Sequence, residues 1–392
     1  MKIDKIGLFG KRLTSYDDAM LFGLAEGFRR CGVEPFTMTR LLDPPKLLSF
    51  CKYHTVSVIL EINRTRNQIP ALSPSITHVA WLQDPVTPER REPSRSEITY
   101  YLTSPDVLGY DTTNVKGLTG ILYTGVSTAY LASPPAEPLS DFSFVGYLPG
   151  PLPAEWRSQP MLANMPKPTL GEVVDAFSAW YRSARKTMTF GDLHTSRLEK
   201  QIRDVMAEAF GVPFGAPFRH HNIPLVFEQY VVRALDRMLV IDAVLTVSKS
   251  MRIYGLPYWT LWERYRPYYR KYLIAADDMA FVYRTTRLNL HSNPNGFGMH
   301  ARVLDCMGCG QAILVNESPY DQLPGGIRTE FEPHAHYIPY TVDTLAETAQ
   351  RWLSDEKERR YIGEQARKII LEKHSWQHRA MQIIDDLQRI ES

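Results

Sequence analysis

Alternation of short apolar runs with amphipathic stretches restricts this chain more than any other feature. Ile3–Phe9 is an apolar run closed by Gly10. Ser15 follows as an N-cap residue, with Asp18 three positions on in a capping-box pattern. Leu21, Leu24, Ala25 and Phe28 recur on one helical face, and Gly32 stands where a helix stops. Val33–Met38 reads as the next strand. The cycle continues with a helix over Lys46–Tyr53 and strands over Val56–Ile62, His78–Leu82 and Thr119–Tyr123. Strands separated by helices pair in parallel through right-handed crossovers. Residues 1–135 therefore read as one Rossmann-like α/β domain, followed by the proline-rich stretch Ser133–Pro138.

Phe142–Gly146 opens a second α/β unit, expected over residues 140–375. A mostly helical block, 151–247, interrupts it; Val173–Arg185 and Leu198–Phe210 both carry helical spacing. Alternation resumes at Met251–Gly255, Arg287–His291 and Ala312–Asn316. The end of the chain is helical. Leu345, Ala349, Trp352 and Leu353 share a face, as do Ile362, Ala366, Ile369 and Ile370. A last helix, over 376–392, is marked by Ala380, Ile383, Ile384 and Leu387. Ligands of such sheets sit beyond the carboxyl ends of the strands, so the residues that matter are expected just after strands.

Composition narrows the partners. Lys and Arg number 45 and Asp and Glu 43, a net charge of +2 over 392 residues. That balance does not by itself predict nucleic-acid binding, and it argues against a disordered chain. Four cysteines make no disulfide framework, which points to a reducing compartment. The most apolar stretch, Met238–Val247, holds Asp242 and is far shorter than the ~20 residues of a membrane span. The N-terminus reads as a first strand rather than a signal peptide. A cytoplasmic protein is expected.

Residues 287–316 carry the chemistry. A strand ends at His291, a polar loop bears Ser292, Asn293, Asn295, Gly296 and Gly298, and a helix starts near Met299 or His300 with Arg302 and Asp305 on it. Glycines before a helix N-terminus let backbone N–H groups approach an anion that the helix dipole also favours. This is the recipe for a pyrophosphate site. Asp305 lies far enough into the helix to accept hydrogen bonds from ribose hydroxyls. Gly296-x-Gly298-x-x-Ala301 meets half of the dinucleotide fingerprint, but late in the chain, where such fingerprints are unusual.

These residues resemble the C-terminal domain of GT-B glycosyltransferases of the spore-maturation (CgeB-like) family. The likeness rests on Asn289-Leu290-His291, Gly296 and Gly298, Arg302-Val303-Leu304-Asp305 and Cys309-Gly310, in that order. Phe142–Gly146, Ile253-Tyr254-Gly255 with Trp259, Trp81–Pro85, Tyr123–Val126 and His374–Arg379 resemble further motifs of that family. The likeness covers nearly the whole chain except 151–247, which is longer than the family's usual connection. Asp305 stands where the family usually has Glu.

The resemblance implies a GT-B fold: two Rossmann-like domains facing a cleft, with a helical insertion in the second. It implies a hexosyl- or pentosyltransferase that takes a nucleotide-sugar donor and needs neither a metal nor a further cofactor. The base would lie near Tyr254 and Gly255, the ribose near Asp305, and the pyrophosphate among Ser292, Gly296, Gly298, His300 and Arg302, with Gly146 at the same site. Acceptors left open are a polysaccharide, a protein, a small molecule or a modified base in DNA. A sugar-nucleotide epimerase and a non-catalytic binding module are the competing readings.

Several features have plainer accounts beside the sharp ones. Asp84 follows a strand and precedes Pro85; it is the candidate general base for an acceptor hydroxyl, or the cap of a turn. Asp17 and Asp18 are its rivals, although the capping box accounts for Asp18. Cys306 and Cys309 form C-x-x-C without a second pair, which reads as packing rather than zinc binding. His220 and His221 lack a third ligand. Tyr258, Trp262, Tyr265, Tyr269 and Tyr272 recur at 4, 3, 4, 3, one helical face that packs, although Pro267 interrupts it. A platform for bases or sugars is the alternative there.

Overall fold

The computed structural model describes residues 3–12, 15–86, 90, 92–132, 136–185, 195–293 and 298–391. The first sheet holds β1 (Lys5–Phe9), β2 (Glu34–Met38), β3 (Val58–Ile62), β4 (Thr77–Leu82), β5 (Ile98–Tyr101) and β6 (Leu118–Ile121). Their order is β2-β1-β3-β4-β5-β6, all parallel. The second sheet holds β7 (Ser140–Val145), β8 (Met251–Tyr254), β9 (Thr286–His291), β10 (Ile313–Asn316) and β11 (Ile338–Tyr340). It is ordered β11-β10-β9-β7-β8, again all parallel. Parallel strands are covered on both faces, which is why β3 and β4 are almost wholly buried.

The helix Ser15–Arg30 lays Leu21, Leu24, Ala25 and Phe28 on the first sheet, as the spacing requires. The final helix, Trp376–Glu391, returns to that same core with Trp376, Ala380, Ile383 and Leu387. The approach is close. A Cβ on Gly23 would fall 2.2 Å from the Trp376 indole nitrogen, and one on Gly27 2.2 Å from the Trp376 carbonyl oxygen. The chain end thus ties the second half of the molecule to the first.

Between β7 and β8 the chain is helical: Leu170–Ala184, Thr195–Phe210 and a continuous run from Ile223 through a π-helical turn, Phe227–Val232, to Arg233–Val247. Thr169 caps the first of these in a capping box with Glu172. The block has its own core, around Phe177, Leu198, Ile202 and Phe227.

Four local expectations are corrected. Ser15 lies inside the first helical turn, and Asp18 instead meets Arg12 at 2.9 Å. β5 and the three-residue β11 add strands that the periodicity does not mark, and Pro339 is tolerated in β11 because that strand is an edge. The Tyr258–Tyr272 aromatics do not share a helical face. Pro257 and Pro267 begin or enter short 3₁₀ turns, and Tyr269–Lys271 runs beside β8, with Arg270 N donating to Ile253 O at 2.9 Å. Trp259 and Tyr265 are buried there, whereas Tyr258 is exposed.

Candidate functional site

The site forms where the carboxyl ends of β7 and β9 meet the start of the helix Ala301–Gly308. His300 caps that helix, its Nδ1 accepting from Arg302 N at 3.2 Å. Arg302 reaches back to β7 and donates to Val145 O at 2.5 Å. Gly146 makes room for it: a Cβ there would lie 2.6 Å from the Phe144 ring and 3.1 Å from the Arg302 guanidinium.

Two further arginines come from the helical block. Val247 leads directly into β8, so the helix Arg233–Val247 runs antiparallel to the strands. Arg237 lies ten residues before Val247, about 15 Å back along the helix. The four residues of β8 cover about 13 Å. Arg237 and, one turn further, Arg233 are therefore level with or beyond the carboxyl edge of the sheet. Arg237 sits 5.8 Å from the Tyr147 ring, just after Gly146.

Among the described residues, Arg237 Nε and Nη1 and Arg233 Nε are buried without a hydrogen-bond partner. Asp236 next door offsets Arg237, and Glu228 offsets Arg233, only in part. The Asp236 carboxylate is taken by Tyr181 Oη at 2.6 Å and Arg185 Nε at 2.9 Å on another side of the helix. Burial, then repulsion from Arg302 and Arg233, holds Arg237 well below the ordinary arginine range. Burial likewise lowers Arg233 and Arg302. Three cations thus converge with too little negative charge between them. Uncompensated buried charge is costly, and a bound anion would relieve it.

The first sheet presents its own carboxyl edge to this group. Tyr16, after β1, stacks on His300 with ring centroids 6.1 Å apart, and His300 lies 5.1 Å from His291 at the end of β9. Burial, then Arg302, His291 and Arg237, keeps the His300 imidazole uncharged. Asp84 follows β4 on this edge. Asn63 Nδ2 donates to Asp84 Oδ2 at 2.8 Å, and Asn63 Oδ1 accepts from Gln83 N at 2.8 Å. Asn63 adopts φ 60°, a left-handed conformation that asparagine tolerates. Burial, with a smaller push from Asp17, raises the Asp84 pKa; Arg90 opposes it.

The remaining expected residues fall into two sets. Asp305 faces Tyr130, and burial drives its carboxyl well above the usual range against that hydrogen bond and Arg302. Ser292 is buried behind β9. Gly298 is needed for packing, since a Cβ there would lie 2.9 Å from Ile327 and 3.0 Å from Asp321 Oδ1. Tyr254 packs against Leu273 and Val282, and Gly255 donates to Lys271 O and accepts from Tyr269 Oη. Gly296 lies outside the described residues. Cys306 and Cys309 are buried free thiols on the inner face of their helix.

Tyr16, Arg233 and Arg237 were missed by motif reading. A signal existed: two arginines one turn apart, with Asp236 between them, in the largely apolar VVRALDRMLV. A cavity of about 500 Å³ lies elsewhere, at the amino ends of β9 and β10. Its cations are already engaged: Arg287 with Asp141, Arg360 with Glu356, and Arg367 with the Leu131 carbonyl. Among the described residues no three His, Cys, Asp or Glu side chains converge as a metal site requires, and no helix is long and apolar enough to cross a membrane.

Residues 231–385 match the family model described as glycosyl transferase-like. No curated protein matches the chain. Among solved structures, the whole chain is similar to HepE from Anabaena in complex with UDP and glucose, at 10% identity and a TM-score of 0.52, covering 99% of this chain and 100% of that one. The same protein with UDP-glucose gives 11%, 0.51, and 98% and 99%. AviGT4, a glycosyltransferase involved in avilamycin A biosynthesis, gives 11%, 0.50, and 98% and 97%. WaaG, a glycosyltransferase involved in lipopolysaccharide biosynthesis, gives 10%, 0.50, and 97% and 99%. The chain has the GT-B fold of these enzymes.

Proposed function

We propose that the chain is a CgeB-like glycosyltransferase that moves a hexosyl or pentosyl group from a nucleotide-sugar to an acceptor hydroxyl. The observation that carries this reading is the convergence of Arg233, Arg237 and Arg302 at the carboxyl end of β7, with Arg233 and Arg237 nitrogens buried without a hydrogen-bond partner among the described residues. A nucleoside diphosphate supplies the matching negative charge. As the bond from anomeric carbon to diphosphate oxygen breaks, negative charge grows on the leaving group, and preorganised cations stabilise it most in the transition state. The arginines would take the role that a metal ion fills in other transferases, and no further cofactor is invoked. Free cysteines fit a reducing, cytoplasmic setting.

Asp84 stands on the opposing domain as the base. It takes the proton of the acceptor hydroxyl while that oxygen bonds to the anomeric carbon. Its raised pKa brings it nearer the working pH, where a general base is most effective. Asp305 and the backbone at Gly298 and His300 complete the donor side.

Thermal unfolding with UDP, GDP, ADP and UDP-glucose tests the donor site. A nucleotide at 100 times its dissociation constant stabilises by about 2.7 kcal/mol. If none of the four shifts the melting temperature, the reading fails. Asp84→Asn keeps the nucleotide shift and lowers transfer by about 10²–10⁴-fold. The His291–His300 pair supports a second reading, an epimerase using the histidines as acid and base. NMR of the nucleotide-sugar incubated without acceptor decides between them, because only an epimerase changes its stereochemistry.

A further inference from the structure

The helical block between β7 and β8 contributes more than arginines. Trp156 and Tyr230 meet edge to face at 6.0 Å, and Tyr147 and Tyr258 do the same at 6.0 Å. Arg237, two helical turns after Tyr230, lies 5.8 Å from the Tyr147 ring, so the two pairs adjoin. Trp156 is 38% exposed, Tyr230 37% and Tyr258 45%, although the block has a core that buries other large aromatics such as Phe177 and Phe227. Tyr230 sits in the π-helical turn Phe227–Val232. Such turns are rare and frequent at functional sites. Three residues later comes Arg233, so the rings begin about 5 Å from the arginine group.

We infer that these four rings form a saccharide-stacking subsite for the acceptor. The C–H faces of a pyranose carry partial positive charge and lie against the negative face of an aromatic ring. Nucleic acid also stacks on aromatics, but it needs a basic track along its backbone. Here Arg233 and Arg237 are sunk into the diphosphate site, Arg157 beside Trp156 is paired with Asp175 at 2.6 Å, and the residues flanking the rings include Glu155 and Glu228. Calling the saccharide an acceptor rests on the transferase reading; the binding of a saccharide does not.

Isothermal titration of the full chain with cellohexaose, maltohexaose and chitohexaose, with and without UDP, tests this, with a single-stranded dT₁₂ as the nucleic-acid arm. At least one hexasaccharide binds, and still binds when UDP fills the donor site. Trp156→Ala and Tyr230→Ala each weaken it by about tenfold, the loss of one stacked ring. Tyr230→Phe, which keeps the ring, binds as wild type, and all three variants keep the UDP thermal shift. Three outcomes overturn the subsite: no hexasaccharide binds, the alanine variants bind as wild type, or dT₁₂ binds in their place. If a hexasaccharide binds and no nucleotide does, the subsite stands and the transferase reading falls.

Discussion

Glu61 and Arg237 are both charged side chains buried at the carboxyl half of a parallel sheet, and they are treated in opposite ways. Glu61, in β3, is fully buried but saturated. Arg64 Nε donates to Glu61 Oε2 at 2.7 Å, and a second guanidinium nitrogen donates to Oε1. His78 Nε2 lies 3.0 Å from Glu61 Oε2, while His78 Nδ1 lies 2.9 Å from Ser96 Oγ. Burial pushes the Glu61 carboxyl up, but His78 and Arg64 together hold it below its usual range. Arg237 has neighbours of its own sign and donors without acceptors. The difference bears on the proposed donor site. A buried charge that is completed belongs to the fold; one left incomplete at a sheet edge would be relieved by a bound anion, as the transferase reading requires.

The largest expected effect breaks the completed network. Glu61→Ala leaves Arg64 and His78 buried without their partner, and such losses destabilise by about 3–5 kcal/mol. Urea unfolding followed by circular dichroism measures it. A loss below about 1 kcal/mol, the range of an exposed pair, would show that the network is not structural.

The middle effect reverses the sign at Arg237. Arg237→Met removes a charge that is only partly compensated in the free protein, so the melting temperature holds or rises. Affinity for UDP falls by roughly 10–100-fold, the worth of one charged hydrogen bond at about 1.5–3 kcal/mol. Calorimetry and thermal unfolding of the same variant read both numbers. If Arg237→Met unfolds as readily as Glu61→Ala, the two regions are alike and the arginine belongs to the fold.

The fold was far more legible in the sequence than the site. Strand–helix alternation depends on local periodicity, and it gave both parallel sheets apart from β5 and the three-residue β11. The helical block was also visible, through Val173–Arg185 and Leu198–Phe210. The site depends on convergence across distance. Arg302 reaches Val145 across 157 positions, and Tyr16 meets His300 from the other domain. No spacing rule brings those residues together. Motif reading therefore found the loop side of the site, at His300 and Arg302, and passed over Arg233 and Arg237, which matter only because their helix runs antiparallel to β8. Tyr254 and Gly255, expected near the base, are seen packing against Leu273 and Val282 and bonding to Lys271.

Asp321 gives the smallest test and lies between the two extremes. It is 3% exposed, accepts from Ser318 N at 3.0 Å through Oδ2, and has Oδ1 buried near Gly298 without a partner among the described residues. Burial raises its pKa from 3.8 to about 6, against the Ser318 N–H and Arg328. Because the folded pKa lies above the unfolded one, the fold favours the protonated acid. That contribution is fully present below pH 3.8 and is lost as pH rises through about 6. Asp321→Asn cannot titrate, so its stability is flat across that window. At pH 7 it exceeds wild type by on the order of 2 kcal/mol, and near pH 4 the two converge. Unfolding free energies at pH 4, 5, 6 and 7 give the curve. Parallel profiles for wild type and variant would mean that Asp321 is compensated after all, and would move it to the side of Glu61.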